Sequence, residues 1–226
     1  MQISVIIPAL NEVGYVARAV ASAWRAGAHK VLVADGGSND ATQRLAAAAG
    51  AIVVNSPPGR AIQQNAAARL ATGDVLLFLH ADNWLAPEAG EQVRAALAGS
   101  GRVHGAFRQR IEAEDCIYRW LERGNAERVR WRGLPYGDQA IFIRRAAFEA
   151  AGGWPEVPLM EDVILMRKLR RQTWPLLLPG PVHVSPRRWQ RHGVIRQTLR
   201  NWRLLLAFNV GASPESLAAQ YRRHDA

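Results

Sequence analysis

Short apolar runs alternate with segments of helical spacing along the first 85 residues. The runs lie at residues 3–7, 31–34, 52–54 and 75–79. The last run is wholly apolar, which is typical of a strand buried on both faces of a parallel sheet. Helical spacing of three or four predicts helices over 13–26, 41–49 and 61–71. This alternation favours an α/β fold with a doubly wound, mostly parallel sheet flanked by helices.

Beyond residue 85 the pattern becomes mixed. Strands are predicted over 103–109, 139–143 and 176–178, and helices over 87–97, 114–129, 145–151, 161–171 and 193–208. No internal repeat or clear linker divides the chain. We therefore expect one domain over 1–226, with a nucleotide-binding half at 1–100, an acceptor-side half at 101–190 and a helical tail at 191–226.

The predicted helix at 193–208 is amphipathic. Its apolar side carries Val194, Ile195, Leu199, Trp202 and Leu206, and arginines occupy the other side. We expect the apolar side to cover the domain's own sheet. The alternatives are peripheral contact with an anionic membrane and self-association.

The amino-acid composition gives the chain a strong positive charge. The formal net charge is +10 and only two residues, Lys30 and Lys168, are lysines. Such a balance indicates an anionic partner, such as a nucleotide, a nucleic acid or an acidic lipid surface. A single cysteine, Cys116, excludes an intrachain disulfide and fits a reducing compartment. With no leader-like segment and no run of about 20 apolar residues, we expect a cytoplasmic protein.

Carboxylates follow three of the predicted strands. Glu12, Asp35 and Asp82 come at or shortly after the ends of the first, second and fourth runs. Because the carboxyl ends of parallel strands share one edge, we expect these acids to meet in a ligand-binding crevice. Bare carboxylates repel phosphate, so the set suggests a phosphate-bearing ligand held through a divalent cation at Asp82. The chain has neither a Gly-x-Gly-x-x-Gly loop nor a Walker lysine loop after its first strand.

A fourth acidic segment, Glu161-Asp162, begins a predicted helix. Acids favour the first turn of any helix, so a capping role alone would explain them. The turn Gly-Gly-Trp-Pro that precedes the pair makes the segment more specific. A helix start beside the crevice would place one carboxylate within reach of a proton on a bound acceptor.

Other polar residues are candidates for substrate contacts, each with a structural alternative. Arg60, Gln64, Arg187 and Arg188 would contact a diphosphate or the donor, unless they belong to a solvated basic surface. Asp138 and Gln139 would bind sugar or acceptor hydroxyls, unless internal hydrogen bonds satisfy them. Trp154 would stack on a sugar face, unless it packs in the core.

Taken in order, the motifs resemble those of a known family. The chain resembles family-two glycosyltransferases with the GT-A fold. The resemblance lies in Ile-Pro-Ala-Leu-Asn-Glu at 7–12, Ala-Asp-Gly-Gly-Ser-Asn-Asp-Ala-Thr at 34–42, His-Ala-Asp at 80–82, Gly-Gly-Trp-Pro-Glu at 152–156 and Met-Glu-Asp at 160–162. The resemblance covers residues 2–180. Segments 59–65, 136–139 and 185–189 further resemble a bacterial subgroup known as arsenosugar-biosynthesis-type or selenodomain-associated glycosyltransferases.

The resemblance implies a role for each matching position. Pro8, Asn11 and Glu12 would lie along the nucleotide, and Asp35 would hold its base or ribose. His80, Ala81 and Asp82 would stand for the Asp-x-Asp motif, with Asp82 binding Mn²⁺ or Mg²⁺. Asp162 would be the catalytic base, with Glu161 as its supporting neighbour. The sequence departs from the family pattern at His80, which replaces an acid, and at Gly36, which replaces the second acid after Asp35.

The activity implied is hexosyl-type transfer from a nucleoside-diphosphate sugar to an acceptor hydroxyl, with inversion. A nucleotidyltransferase acting on a sugar phosphate is an alternative, although it would favour a Gly-rich loop where Pro8-Ala9-Leu10 stands. The other alternative is a basic module that binds nucleic acid or anionic lipid, which would leave the acidic segments unexplained. We expect no nucleic-acid partner.

Overall fold

The computed structural model describes residues 1–223, except for the side chains of residues 222 and 223. Eight strands of the described chain form one sheet. The strands are β1 (Ile3–Ala9), β2 (Lys30–Asp35), β3 (Ile52–Asn55), β4 (Val75–Phe78), β5 (Asn83–Leu85), β6 (His104–Ile111), β7 (Phe142–Arg144) and β8 (Leu176–Val184). Their order across the sheet is β3-β2-β1-β4-β7-β6-β8-β5.

Ten α-helices and one 3₁₀ turn connect the strands of the described chain. The first five helices are α1 (Val16–Arg25), α2 (Thr42–Ala48), α3 (Arg60–Ala68), α4 (Ala89–Leu97) and α5 (Cys116–Arg132). The others are α6 (Arg145–Ala150), α7 (Glu161–Leu169), α8 (Arg187–His192), α9 (Val194–Asn209) and α10 (Pro214–Arg223). The 3₁₀ turn is Gly137–Gln139.

The strand pairing brings the predicted acids to one edge. β1 pairs in parallel with β2 on one side and with β4 on the other. In this register Ala9 lies opposite Asp35. The sheet is parallel over β3-β2-β1-β4 and between β6 and β8, and it is antiparallel where β7 joins β4 and β6 and where β5 joins β8. The predicted α/β class with a mostly parallel, doubly wound sheet is therefore confirmed.

Two apolar cores lie on the two faces of the sheet. Alternate residues of β1 separate between them: Ile3, Val5 and Ile7 face the core under α1 and α4, whereas Ile6 faces the core under α3 and α7. This alternation follows from the period of two of a strand. With helices on both faces, the strand ends remain the open edge at which a ligand can enter.

Some predicted elements were wrong in their bounds. Pro8 does not end the first strand, because β1 continues through it to Ala9. The predicted strand at 139–143 is shorter and later, and Asp138 and Gln139 lie in the 3₁₀ turn. The last strand continues through Pro179-Gly180-Pro181 to Val184 instead of stopping at 178. The prolines and the glycine of this segment predicted that the strand would end there. The pairing of β8 with β6 and β5 continues the strand through them.

The C-terminal segment differs most from expectation. Helices α8 and α10 and the short strand β5 were not predicted individually. Helix α9 was predicted, but the expectation that its apolar side covers the sheet was wrong. Ile195, Leu199, Trp202 and Leu206 are between 52% and 67% exposed. The residues that α9 buries are Gln197 and Leu204, on its opposite face.

Candidate active site

The ends of β1 and β2 form a polar ledge on the open edge of the sheet. Asp35 is buried and accepts hydrogen bonds from the backbone N–H groups of Gly37 and Ser38 at 2.9 and 2.8 Å. Burial alone would raise the pKa of Asp35, but hydrogen bonds from Ser38, Gln43 and Gly37 lower it. Asn11 has a left-handed backbone (φ 55°), and its N–H donates to Ser38 Oγ at 2.9 Å. These bonds hold Asn11 and Asp35 on neighbouring strand ends.

Beside this ledge lies a cavity of about 160 Å³. It is enclosed by β4–β5, the 3₁₀ turn, the start of α7, the end of β8 and the inner face of α9. Its lining consists of Arg60, His80, Asp82, Asn83, Tyr136, Gly137, Asp138, Asp162, Val184, Ser185, Arg188, Trp189, Gln197 and Asn201. The polar character of this set, with three carboxylates and two arginines, suits a charged, hydroxyl-rich ligand.

His80 and Asp82 follow β4 and line the cavity together. Burial and the nearby Arg60, Arg188 and Arg187 hold the pKa of His80 well below its usual range. The imidazole is therefore neutral at pH 7. Its Nε2 is buried and has no hydrogen-bond partner among the residues that the structure describes. Such an orphaned nitrogen can accept from a ligand hydroxyl or coordinate a cation.

Arg187, at the start of α8, ties two predicted acids together. Its Nη1 and Nη2 donate to Glu12 Oε2 and Oε1 at 2.9 and 2.6 Å. Its Nε lies 3.0 Å from Asp82 Oδ2, and its guanidinium lies 4.8 Å from the centre of the Tyr15 ring. Glu12 and Asp82 belong to the ends of different strands, so the arginine acts as a shared counter-ion across the crevice. Glu12 and Arg187 lie beside the cavity lining.

The donor atoms at this position suit a divalent cation in part. Asp82 offers carboxylate oxygens and His80 offers a neutral, unpartnered nitrogen, which together suit Mn²⁺ better than Ca²⁺. Between residues 1 and 223, no group of three or more His, Cys, Asp or Glu side chains could hold a metal ion. The protein side chains alone therefore do not complete a coordination shell. A bound diphosphate would have to supply the missing oxygens.

Asp162 lies in the first turn of α7 and lines the cavity. Its Oδ2 accepts the backbone N–H of Gly137 at 2.9 Å, and its Oδ1 accepts that of Val163 at 2.7 Å. These two bonds fix the orientation of the carboxylate at the N-terminus of α7. The Gly137 bond also fixes the 3₁₀ turn against the start of α7.

Glu161 precedes Asp162 in the first turn of α7 and is 4% exposed. Its Oε1 forms an ion pair with Arg60 Nη1 at 3.1 Å. Burial raises the pKa of Glu161, and the Arg60 charge opposes that increase. The pair connects the start of α3 to the start of α7, and the Arg60 side chain, 39% exposed, still lines the cavity.

Asp138 faces the cavity from the 3₁₀ turn. Burial raises its pKa, and the nearby Arg128 guanidinium opposes the rise. Arg128 stacks 3.5 Å from the centre of the Tyr136 ring and donates to Gln139 Oε1 at 2.7 Å. Gln139 is fully buried by this contact and lies outside the cavity lining. Its position therefore favours a role in holding the turn over a direct acceptor contact.

Four other predicted site residues lie outside the cavity lining. Trp154 is 2% exposed and packs edge-on against Phe78 with ring centres 5.0 Å apart, which favours core packing over stacking on a sugar. Gln64 is buried on α3. Pro8 lies within β1 next to the polar ledge, and Ala81 is buried between His80 and Asp82.

Sequence reasoning assigned no site role to five polar residues of the lining: Asn83, Tyr136, Ser185, Gln197 and Asn201. Gln197 Nε2 donates to Asn201 Oδ1 at 2.9 Å. The two amides are four residues apart on α9, and a polar pair at this spacing was the available signal. The cavity does collect Arg60, His80, Asp82, Asp138, Asp162 and Arg188, which were predicted from separate parts of the chain.

With this geometry established, similarity to known proteins gives the family. The model of the family described as "Glycosyl transferase family 2" matches residues 4–152, which is more than half of the chain. The chain belongs to glycosyl transferase family 2. No functionally curated protein sequence is significantly similar to it.

Solved structures with the same fold include two proteins in complex with UDP or a UDP-sugar. S. aureus TarS (residues 1–349) in complex with UDP-GlcNAc has a TM-score of 0.64 and 17% identity, over 82% of this chain and 58% of that one. Glucosyl-3-phosphoglycerate synthase from Mycobacterium tuberculosis, in complex with Mn²⁺, UDP and glucosyl-3-phosphoglycerate, has a TM-score of 0.58 and 20% identity, over 81% and 70%.

A third structure, described as a mycobacterial protein, has a TM-score of 0.58 and 21% identity, over 81% of this chain and 65% of that one. This chain therefore spans less than two thirds of the mycobacterial protein and of the TarS fragment bound to UDP-GlcNAc. The shared architecture is the GT-A fold.

Proposed function

We propose that this chain transfers a sugar, of hexose type, from a nucleoside-diphosphate sugar to an acceptor hydroxyl, with inversion at the anomeric carbon. Membership of glycosyl transferase family 2 supports the reaction class. The observation that carries the proposal is the cavity that Asp162, Asp138, His80, Asp82, Arg60 and Arg188 line together. Segments 59–65, 136–139 and 185–189 support assignment to the arsenosugar-type or selenodomain-associated subgroup.

The two sides of the cavity suit the two partners of a displacement. His80, Asp82 and Arg188 line one part of the cavity. The Arg188 guanidinium would meet a diphosphate directly, and the acceptor groups of His80 and Asp82 would meet it through a cation. The polar ledge of Asn11 and Asp35 continues from this part of the cavity and would take the nucleoside. TarS bound to UDP-GlcNAc and the synthase bound to UDP are consistent with a uridine nucleotide at this edge.

Asp162 would act as the base. An ionised carboxylate within about 3 Å of an acceptor hydroxyl can take its proton as the oxygen attacks the anomeric carbon. Attack from the side opposite the departing diphosphate is a single displacement and inverts the configuration. Asp138, with its raised pKa, is suited to hold a sugar or acceptor hydroxyl in place.

The departing diphosphate carries the charge that the cavity must neutralise. Arg60, Arg187 and Arg188 supply guanidinium groups for it, since this group matches phosphate oxygens bidentately. Asp82 and His80 are the residues that would hold a divalent cation, Mn²⁺ or Mg²⁺, whose contribution when bound is to neutralise the diphosphate oxygens. Arg187 pairs with Oδ2 of Asp82, which leaves Oδ1 of the same carboxylate for the cation.

Calorimetric titration with UDP, with and without Mn²⁺, tests the donor side directly. We expect wild-type protein to bind UDP more tightly with Mn²⁺, and Asp82→Ala to lose the Mn²⁺-dependent increase. Asp115→Ala is a matched control, because it removes an exposed carboxylate at the start of α5, far along the chain from the cavity. In a thermal-shift screen, UDP at 100 times its dissociation constant should add about 2.7 kcal/mol of stability.

The contrary results are equally clear. If folded Asp82→Ala keeps the full Mn²⁺ effect, the cation is not held at Asp82. If a thermal-shift screen of the common nucleoside diphosphates, with and without Mn²⁺, shows no binding to the wild-type protein, the proposed donor class is wrong.

A further inference from the structure

Helix α9 has an unusual distribution of polarity. Its inner face carries Gln197 and Asn201, two amides that line the cavity. Its outer face carries five exposed apolar side chains, here called the outer stripe: Ile195 (67% exposed), Leu199 (52%), Trp202 (66%), Leu206 (64%) and Val210 (77%). Residues two apart on an α-helix point about 200° apart, so Leu199 and Asn201 face opposite ways. The helix thus turns its polar face inward and its apolar face outward.

The charged residues of the chain around the outer stripe are all basic. Between residues 187 and 214 there are six arginines and no Asp or Glu. Arg196 and Arg203 are exposed and border the outer stripe on one side of the helix. Apolar residues with tryptophan on one face and arginines at its margin are typical of a helix that lies in a membrane interface. No helix in residues 1–223 is long and apolar enough to cross a bilayer, so the contact would be peripheral.

We propose that the outer stripe of α9 docks this protein onto an anionic lipid surface. The apolar side chains would enter the boundary between headgroups and acyl chains, and Trp202 would lie at the depth that interfacial tryptophans prefer. Arg196 and Arg203 would meet lipid phosphates at the surface. The net charge of +10 complements such a surface and adds long-range attraction to it.

Charge also distinguishes lipid from a second copy of the chain. Two copies packed through their outer stripes would bring Arg196 and Arg203 of one copy near the same residues of the other. No acidic residue lies between 187 and 214 to pair with them. Like charges at such an interface oppose association, whereas an anionic lipid surface removes the repulsion.

Docking would bring the cavity close to the membrane. The outer stripe and the cavity-lining amides occupy opposite faces of one helix, whose diameter with side chains is about 10 Å. On the basis of the function proposed above, the acceptor hydroxyl would then be presented from the lipid surface. This places the acceptor among amphiphilic compounds that partition into membranes.

Vesicle sedimentation tests the docking independently of the chemistry. The probes are vesicles of phosphatidylcholine alone and of phosphatidylcholine with 30% phosphatidylglycerol, at low and high salt. We expect the protein to sediment with the anionic vesicles and much less with the neutral ones, and to be released in part by salt. The double variant Trp202→Ser/Leu206→Gln should weaken binding roughly tenfold or more. Leu70→Gln is the matched control, since it removes an exposed leucine (51%) outside α9 and should bind like wild type.

Mass measurement and nucleotide binding complete the design. Light scattering should report a monomer, and thermal unfolding should report a folded double variant, because both altered side chains are mostly exposed. A dimer that the double variant dissociates would overturn the proposal in favour of self-association. Equal sedimentation of wild type and double variant, or no affinity for anionic vesicles, would also overturn it. UDP titration of the same samples separates these results from a failure of the proposed donor chemistry.

Discussion

Asp162 is held by two hydrogen bonds in the first turn of α7. Its Oδ2 accepts the backbone N–H of Gly137, and its Oδ1 accepts that of Val163. A carboxylate oxygen can accept more than one hydrogen bond, so these contacts do not prevent the role proposed for Asp162. The same residue would then fix the local turn and act as the base.

We predict that Asp162→Asn lowers turnover by two to four orders of magnitude, the usual range for loss of a general base. The amide keeps the shape but cannot take a proton. Its NH₂ also faces one backbone N–H that previously had an acceptor, so we expect a stability loss of about 1 kcal/mol. Steady-state turnover and UDP affinity should be measured together, with affinity nearly unchanged. If Asp138→Asn loses the larger share of turnover instead, the base is Asp138.

Where two helices pack closely, the distance between their backbones decides whether a side chain can replace a glycine. Helix α4 approaches the end of α1 so closely that a Cβ at Gly90 would lie 2.0 Å from the carbonyl oxygen of Ala26. Gly124, within α5, has no atom within 4 Å of the equivalent Cβ position. Both glycines lie in helices, so the two positions differ in how closely a neighbouring element packs against them.

We predict opposite effects on the free energy of unfolding for the same substitution at these two positions. Gly124→Ala should stabilise by up to about 1 kcal/mol, since alanine favours the helix. Gly90→Ala should destabilise by roughly 1–3 kcal/mol or more, since the backbone of α1 or α4 must move. Urea unfolding of both variants provides the measurement. Stabilisation by Gly90→Ala would show that α4 and α1 are not in this close contact.

For the whole molecule, one buried histidine links folding to pH. His104 at the start of β6 is fully buried, and neither ring nitrogen has a hydrogen-bond partner within the described chain. Burial, with a smaller contribution from Arg102, lowers the pKa of His104 from 6.5 to about 4. The unfolded chain therefore binds this proton more readily than the folded protein does. Stability from this source is complete above pH 6.5 and decreases as the pH falls toward 4.

We predict that stability falls by up to about 3 kcal/mol between pH 7 and pH 4 because of His104. His104→Gln, which cannot titrate, should show a correspondingly smaller loss over that range, whatever its stability at pH 7. His29→Gln removes an exposed histidine and should keep the wild-type slope. Urea unfolding at several pH values gives the comparison. An unchanged pH slope in His104→Gln would exclude this histidine as the source.

The sequence by itself determined the strand–helix alternation and the acids after the strands. These features are local: an apolar run, a helical period and a polar residue at a strand end are readable without knowing their neighbours. Asp82, Asp138 and Asp162 line one cavity, but only Asp82 follows a strand of the parallel part of the sheet. Asp138 precedes antiparallel β7 and Asp162 begins α7, so the tertiary structure brings these two to the cavity. Sequence pattern also gave helix α9 to within one residue at each end.

Features that depend on long-range contacts were decided only by the tertiary structure. Pairing with β6 and β5 carried β8 through two prolines that locally predict an end. The bridge from Arg187 to Glu12 and Asp82 joins residues more than 100 positions apart, which no local pattern records. The direction in which α9 faces was decided in the same way. An amphipathic period shows that a helix has two faces, but the rest of the fold selects which of them is buried.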